Sequence, residues 1–180
     1  DVSKMRADLQ SIVTRKNRIV MKNGKGIDYL MKKNKVTVLK DIGKLLGGGR
    51  VVVEQEVHTA KKIILATGSV PRELQGLETD GQRVLSSDHI LDMTELPSHL
   101  VILGGGAIGV EFASTFARLG SKVTLVEMMD QLVPIEDSGV GEELAKIFAK
   151  SYKMDIRVKT KITKLERSTD KVICHLEGDK

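Results

Sequence analysis

Two features of this sequence could do chemistry together: the run Gly104-Gly105-Gly106-Ala107-Ile108-Gly109, which reads G-x-G-x-x-G, and an acid, Glu127, about 18 residues beyond Gly109. Alone, the glycine pattern says little. Its setting gives it physical content, because the apolar run Leu100-Val101-Ile102-Leu103 precedes it and a helical pattern follows from Val110 to Leu119, closed by Gly120. In a strand-turn-helix of this kind the first glycine makes the tight turn, the second lets backbone approach a diphosphate, and the third lets the helix pack on the strand. Free backbone N–H groups at the helix start then face the anion, helped by the helix dipole. Lys122 to Glu127 forms the next strand, so Glu127 ends it near the spacing expected of an acid that accepts from the adenosine ribose hydroxyls. That carboxylate repels a 2′-phosphate, and Met128 and Met129 supply no arginine to receive one, so the pattern selects NAD over NADP. Glu111, in the helix one turn from the phosphate end, complements the dipole.

Other chemistry has little to work with. The histidines His58, His89, His99 and His175 lack metal-ligand spacing, and no Ser-His-Asp set or cysteine pair is present. Cys174, the single cysteine, lies in the alternating stretch Val172 to Leu176 and reads as a small strand residue, either buried or with its thiol exposed. Gly47-Gly48-Gly49 reads as a hairpin rather than a phosphate loop, since no helix carrying Lys-Ser or Lys-Thr follows it. The net charge of +5 is spread over segments that also carry acids, and aromatic residues make up 3%, too few for a base-stacking surface, so nucleic acid is not an expected partner. No apolar run is long enough to cross a membrane, and none is expected as a partner. With 41% hydrophobic residues the chain can bury a core.

The elements that must position the site divide the chain. A helical stretch runs from about Ser3, a capping residue type, to Val20; Asn23-Gly24 is expected to interrupt it, with a second helical piece from Gly26 to Lys33 and a stop at Asn34. From Val36 the period changes to short antiparallel strands around the triple glycine. Ile63-Ile64-Leu65 reads as a buried strand entering the turn Ala66-Thr67-Gly68-Ser69-Val70-Pro71. Residues 72 to 97 form a connector with a short helix near Ser87 to Leu91. After the βαβ unit, a helix from about Gly141 to Lys150 and three alternating segments, near Ile156 to Val158, Ile162 to Leu165 and Val172 to Leu176, complete the pattern. The expected fold class is α/β: a Rossmann-type nucleotide-binding domain preceded by a partial domain of one helix plus antiparallel strands.

Ala66-Thr67-Gly68-Ser69-Val70-Pro71, then Leu85-Ser86-Ser87, then Gly104 to Glu111 and Glu127, resemble the middle of the dihydrolipoamide dehydrogenases, within the flavin-dependent pyridine nucleotide-disulfide oxidoreductases. Ala-Thr-Gly-Ser-x-Pro about 33 residues ahead of G-x-G-x-x-G is far more specific than either motif alone. The resemblance covers nearly the whole chain. It implies residues 1–71 as part of an FAD-binding domain and 72–180 as an NAD-binding domain lacking its C-terminal end. By position, Gly43, Thr67, Gly68 and Ser69 would touch FAD, while Gly104, Gly105, Gly106, Ala107, Ile108, Gly109, Val110, Glu111, Glu127 and Ile162 would line the NAD site. It also implies a homodimeric parent enzyme serving a 2-oxo acid dehydrogenase complex, in a bacterial cytoplasm or mitochondrial matrix. The family's first FAD fingerprint, its redox cysteine pair and its C-terminal catalytic histidine are not in these residues. A chain that opens at Asp1 without methionine and ends in mid-pattern at Lys180 is therefore expected to be a central piece of such an enzyme, inactive by itself. The alternatives are part of another flavoprotein reductase, or a module that binds NAD without turnover.

Overall fold

The computed structural model describes residues 7–178. It resolves into two compact units, residues 15–70 and residues 71–178 with the first described turns of the opening helix, through Thr14.

The opening helix, α1 (Leu9–Lys33), is a single 25-residue helix and does not break at Asn23-Gly24. A glycine inside a helix costs only about 1 kcal/mol against alanine, too little to end a run with good helix formers on both sides. Its start is set by Asp8, whose carboxylate accepts from the Ser11 N–H at 2.9 Å and the Ser11 hydroxyl at 2.6 Å. The expected cap at Ser3 lies outside the described residues. The stop falls where the sequence places it: the Asn34 side-chain amide donates to the Leu30 carbonyl at 2.8 Å, and Lys35 turns left-handed at φ 55°.

The rest of the first unit is an antiparallel sheet in the order β1 (Gly43–Gly47), β2 (Arg50–Val53), β3 (Glu56–Thr59). Gly47, Gly48 and Gly49 all have positive φ, so the triple glycine is the hairpin expected of it. Ile63-Ile64-Leu65 departs from expectation: it has no regular structure, and Ile64 is 89% exposed. A strand exists only where a neighbour takes up its backbone hydrogen bonds, and among the described residues none pairs with this run.

The second unit is built on a parallel sheet of β4 (His99–Leu103), β5 (Lys122–Val126) and β6 (Asp155–Arg157), in that order. Helix α3 (Ala107–Leu119) connects β4 to β5, and α4 (Ser138–Tyr152) connects β5 to β6, as parallel pairing requires. A short helix, α2 (Ser87–Ile90), precedes them and is capped by Ser86, whose hydroxyl accepts from the His89 N–H. Ala113 and Phe116 of α3, Phe148 of α4, Val123 and Leu125 of β5, with Leu132 and Met154, make the core. The hairpin of β7 (Thr160–Arg167) and β8 (Val172–Gly178) closes the unit. Side chains alternate across a strand. Leu100 and Ile102 of β4 therefore meet the core, while His99 and Val101 line a cleft of about 320 Å³ shared with Cys174 of the hairpin.

Candidate nucleotide-binding site

The turn between β4 and α3 starts at Gly104, whose φ of 103° is the left-handed region that favours glycine. The Gly104 N–H donates to the Val126 carbonyl at 2.8 Å, so the turn is fastened to the end of the neighbouring strand. Gly109 is a matter of space: a Cβ there would fall 1.8 Å from the Gly104 carbonyl oxygen. Gly106 is the opposite, with nothing within 4 Å of where its Cβ would be. It caps α3 without a side-chain hydrogen bond. The amides of Ala107, Ile108 and Gly109, in the first turn, have no partner available inside the helix. The C-terminal end is closed by Gly120 at φ 114°, its N–H bonded to the Ala117 and Phe116 carbonyls.

Glu127 follows β5 and is 7% exposed. Its Oε2 accepts the Gly105 N–H at 2.6 Å and its Oε1 accepts the Met129 N–H at 2.7 Å. The acid thus reaches back into the glycine turn rather than ending a strand at the surface. A carboxylate offers about four lone-pair sites, so two bonds leave each oxygen able to accept a ligand hydroxyl. Across the turn, the Val133 N–H donates to the Gly105 carbonyl at 2.8 Å, placing the loop after β5 beside the mouth without closing it over Gly106. The turn thus leaves open space at Gly106 beside first-turn amides without helical partners, with the Glu127 carboxylate at its edge.

The remaining candidates distribute unevenly. Ala107, Ile108 and Glu111 are exposed at the start of α3, while Val110 packs against the core. Ile162 is half-buried on β7, opposite Leu176. Gly43 begins β1, with its Cβ position 3.4 Å from Val51, so it serves the sheet. Thr67, Gly68 and Ser69 lie in an exposed, irregular stretch where Gly68 has φ 75° and open space around it. Backbone could meet a ligand there, but the described residues build no enclosed flavin site around it.

The cleft on the other sheet face is chemically mixed. His99 Nε2 lies 3.0 Å from the Thr124 hydroxyl, and burial followed by the nearby Lys122 charge lowers its pKa. Burial raises the Cys174 pKa, which keeps the thiol protonated at neutral pH. Among the described residues no cluster of His, Cys, Asp or Glu could hold a metal ion, and no helix is long and apolar enough to cross a membrane.

The three backbone bonds that hold the Glu127 segment from outside were not legible in advance. The Glu127 N–H donates to the Arg157 carbonyl at 2.8 Å, its carbonyl accepts the Thr160 N–H at 3.0 Å, and the Lys159 N–H donates to the Met129 carbonyl at 2.7 Å. Only tertiary pairing of β5 with β6 brings these residues together.

The sequence profile of the pyridine nucleotide-disulphide oxidoreductases matches residues 2–180. The chain belongs to that family. A dihydrolipoyl dehydrogenase of Chlorobaculum tepidum is 41% identical over 156 residues, covering 84% of this chain and 33% of that protein. A mitochondrial dihydrolipoyl dehydrogenase 1 of Arabidopsis thaliana is 36% identical over 176 residues, covering 95% of this chain and 34% of the relative. The chain therefore spans about a third of the length of the curated relatives it matches. The crystal structure of LpdA from Mycobacterium tuberculosis superposes with a TM-score of 0.87 at 24% identity, over 97% of this chain and 40% of that one, which shows the shared fold. The α/β architecture with its parallel, Rossmann-type sheet is thus the family's own.

Proposed function

We propose that residues 72–180 are the NAD-binding part, and residues 1–71 an FAD-domain segment, of a dihydrolipoamide dehydrogenase. That enzyme oxidises protein-bound dihydrolipoamide through a disulfide and FAD to reduce NAD. One observation carries the reading: the buried Glu127 carboxylate lies 2.6 Å from the Gly105 N–H, at the edge of the open helix mouth at Gly106. The likeness to dihydrolipoyl dehydrogenases over most of the chain supports the same assignment.

The cofactors supply the hydride chemistry when bound; the protein's part is to grip, orient and select. The first-turn amides of α3, from Ala107 to Gly109, hold the diphosphate. Glu127 accepts from the adenosine ribose hydroxyls and repels a 2′-phosphate, making NAD the preferred nucleotide. Gly43, Thr67, Gly68 and Ser69 contribute backbone to an FAD site completed by other parts of the enzyme. With Cys174 as its single cysteine, the chain has no pair for the disulfide step, so these residues alone bind nucleotide without turning substrate over. The family resemblance makes the parent enzyme a homodimer within a 2-oxo acid dehydrogenase complex, and relatives from bacteria and mitochondria support a bacterial cytoplasm or mitochondrial matrix for it.

The test is calorimetric titration of this chain with NADH, NADPH and FAD in separate experiments. NADH should bind more tightly than NADPH. Tight NADPH binding with no response to NADH refutes the nucleotide assignment.

A further inference from the structure

Glu127 is held by its own side chain from within and by its main chain from without. The outer support is the turn Val158-Lys159-Thr160 between β6 and β7, which supplies two of the three backbone bonds to the Glu127–Met129 segment. This turn is tightly built. Lys159 is left-handed at φ 49°, an uncommon conformation for a side chain of its kind. Thr160 is 3% exposed, and its hydroxyl donates to the Val158 carbonyl at 2.8 Å, spanning the left-handed residue. On the far side β8 approaches so closely that a Cβ on Gly178 would lie 2.7 Å from the Thr160 Cα. Glycine there lets the hairpin press on the turn.

We propose that Thr160 is a positioning residue for Glu127. Its hydroxyl fixes the Lys159 turn, the turn's amides hold the Glu127 and Met129 carbonyls, and the carboxylate is thereby aimed at the ribose. The proposal rests on the nucleotide reading above and extends it to a residue outside the glycine motif. Because the effect runs through Glu127, it should appear in the choice between NADH and NADPH. A turn that matters only for folding would weaken both nucleotides alike.

The experiment is a double-mutant cycle on this chain, read by calorimetric titration with NADH and NADPH. Thr160→Val keeps the side-chain shape and removes the hydroxyl. It should weaken NADH about three- to tenfold while leaving NADPH almost unchanged, and Thr160→Ser should restore the preference. In a Glu127→Ala background Thr160→Val should have no further effect on NADH. Equal weakening of both nucleotides, or the same NADH loss with and without Glu127, overturns the proposal. A measurement on the unmodified chain covers the case in which Thr160→Val does not fold: saturating NADH should slow hydrogen exchange of the Lys159 and Thr160 amides, and unchanged exchange overturns the proposal too. Unmodified chain that fails to bind NADH refutes the underlying nucleotide assignment, a result separate from any Thr160 comparison.

Discussion

Gly106→Ala and Gly109→Ala add the same methyl group three residues apart, and the structure separates their consequences. At Gly106 the new carbon meets nothing within 4 Å, and φ −71° with ψ −175° is backbone that alanine adopts freely. Alanine is a poorer helix cap than glycine by about 0.5–1 kcal/mol. It also restricts the unfolded chain, which returns about 0.4–1 kcal/mol. Stability should therefore change by less than about 0.5 kcal/mol. At Gly109 the carbon would fall 1.8 Å from the Gly104 carbonyl oxygen, an atom of the backbone that no side-chain rotation can move. Carbon and carbonyl oxygen approach to about 3.3 Å, so α3 must retreat by roughly 1.5 Å. Because the obstacle is backbone rather than a flexible side chain, overpacking here takes the upper part of its usual range, about 2–3 kcal/mol, offset in part by the better helix propensity of alanine, about 1 kcal/mol. A net loss of about 1–2 kcal/mol lowers the midpoint of a unit this size by on the order of 5–10 °C. For binding, the order reverses. A methyl on Gly106 occupies the space the diphosphate would fill and should weaken NADH at least tenfold, about 1.4 kcal/mol, in a chain that melts where the unmodified one does. Thermal unfolding and calorimetric titration of the two variants side by side decide the matter. Unchanged NADH affinity in Gly106→Ala refutes the placement of the diphosphate, and an unchanged melting midpoint in Gly109→Ala refutes the packing role.

Two further outcomes follow from the same geometry. Glu127→Ala leaves the Gly105 and Met129 amides without their acceptor, at about 1–3 kcal/mol for a buried donor. Denaturant unfolding should show that loss, and titration should show weaker NADH with relaxed discrimination against NADPH. Asp80 has its pKa lowered to about 2, first by the Val84 amide and then by those of Arg83 and Gln82, with Arg167 adding charge. A folded value below the unfolded one, about 3.9, gives stability that is fully present above pH 4 and is lost as pH falls towards 2. The stability difference between the unmodified chain and Asp80→Asn, followed by acid titration of unfolding, should therefore shrink across that window.

The strand-turn-helix-strand unit was readable because its signals are local. An apolar run, a turn needing left-handed backbone at Gly104, a close approach at Gly109 and a helix ended by Gly120 each impose a residue type at a fixed offset. The bonding of Glu127 was only half readable. Spacing places the acid at the strand end, whereas its bonds to Gly105 and Met129, and the brace from Arg157 and Thr160, depend on how β5, β6 and the turn assemble. In the first unit, local signals misled in two places. Asn23-Gly24 carries a helix-breaking composition, yet its cost of about 1 kcal/mol per glycine is outweighed by the continuity of α1. Ile63-Ile64-Leu65 has the composition of an interior strand, but a strand is a property of a pair, and no described segment completes it.

The Gly105–Glu127 bond closes a loop of only 22 residues, and the helix that fills this loop docks on the strands at either end of it. Chain entropy lost on closing a loop grows slowly with its length, and contacts between near neighbours in sequence form fast. The proposed grip and selectivity for a nucleotide would thus lie in one short stretch whose contacts are local enough to assemble early. A site made this way can be carried between proteins as a cassette, with the partners of its chemistry supplied elsewhere.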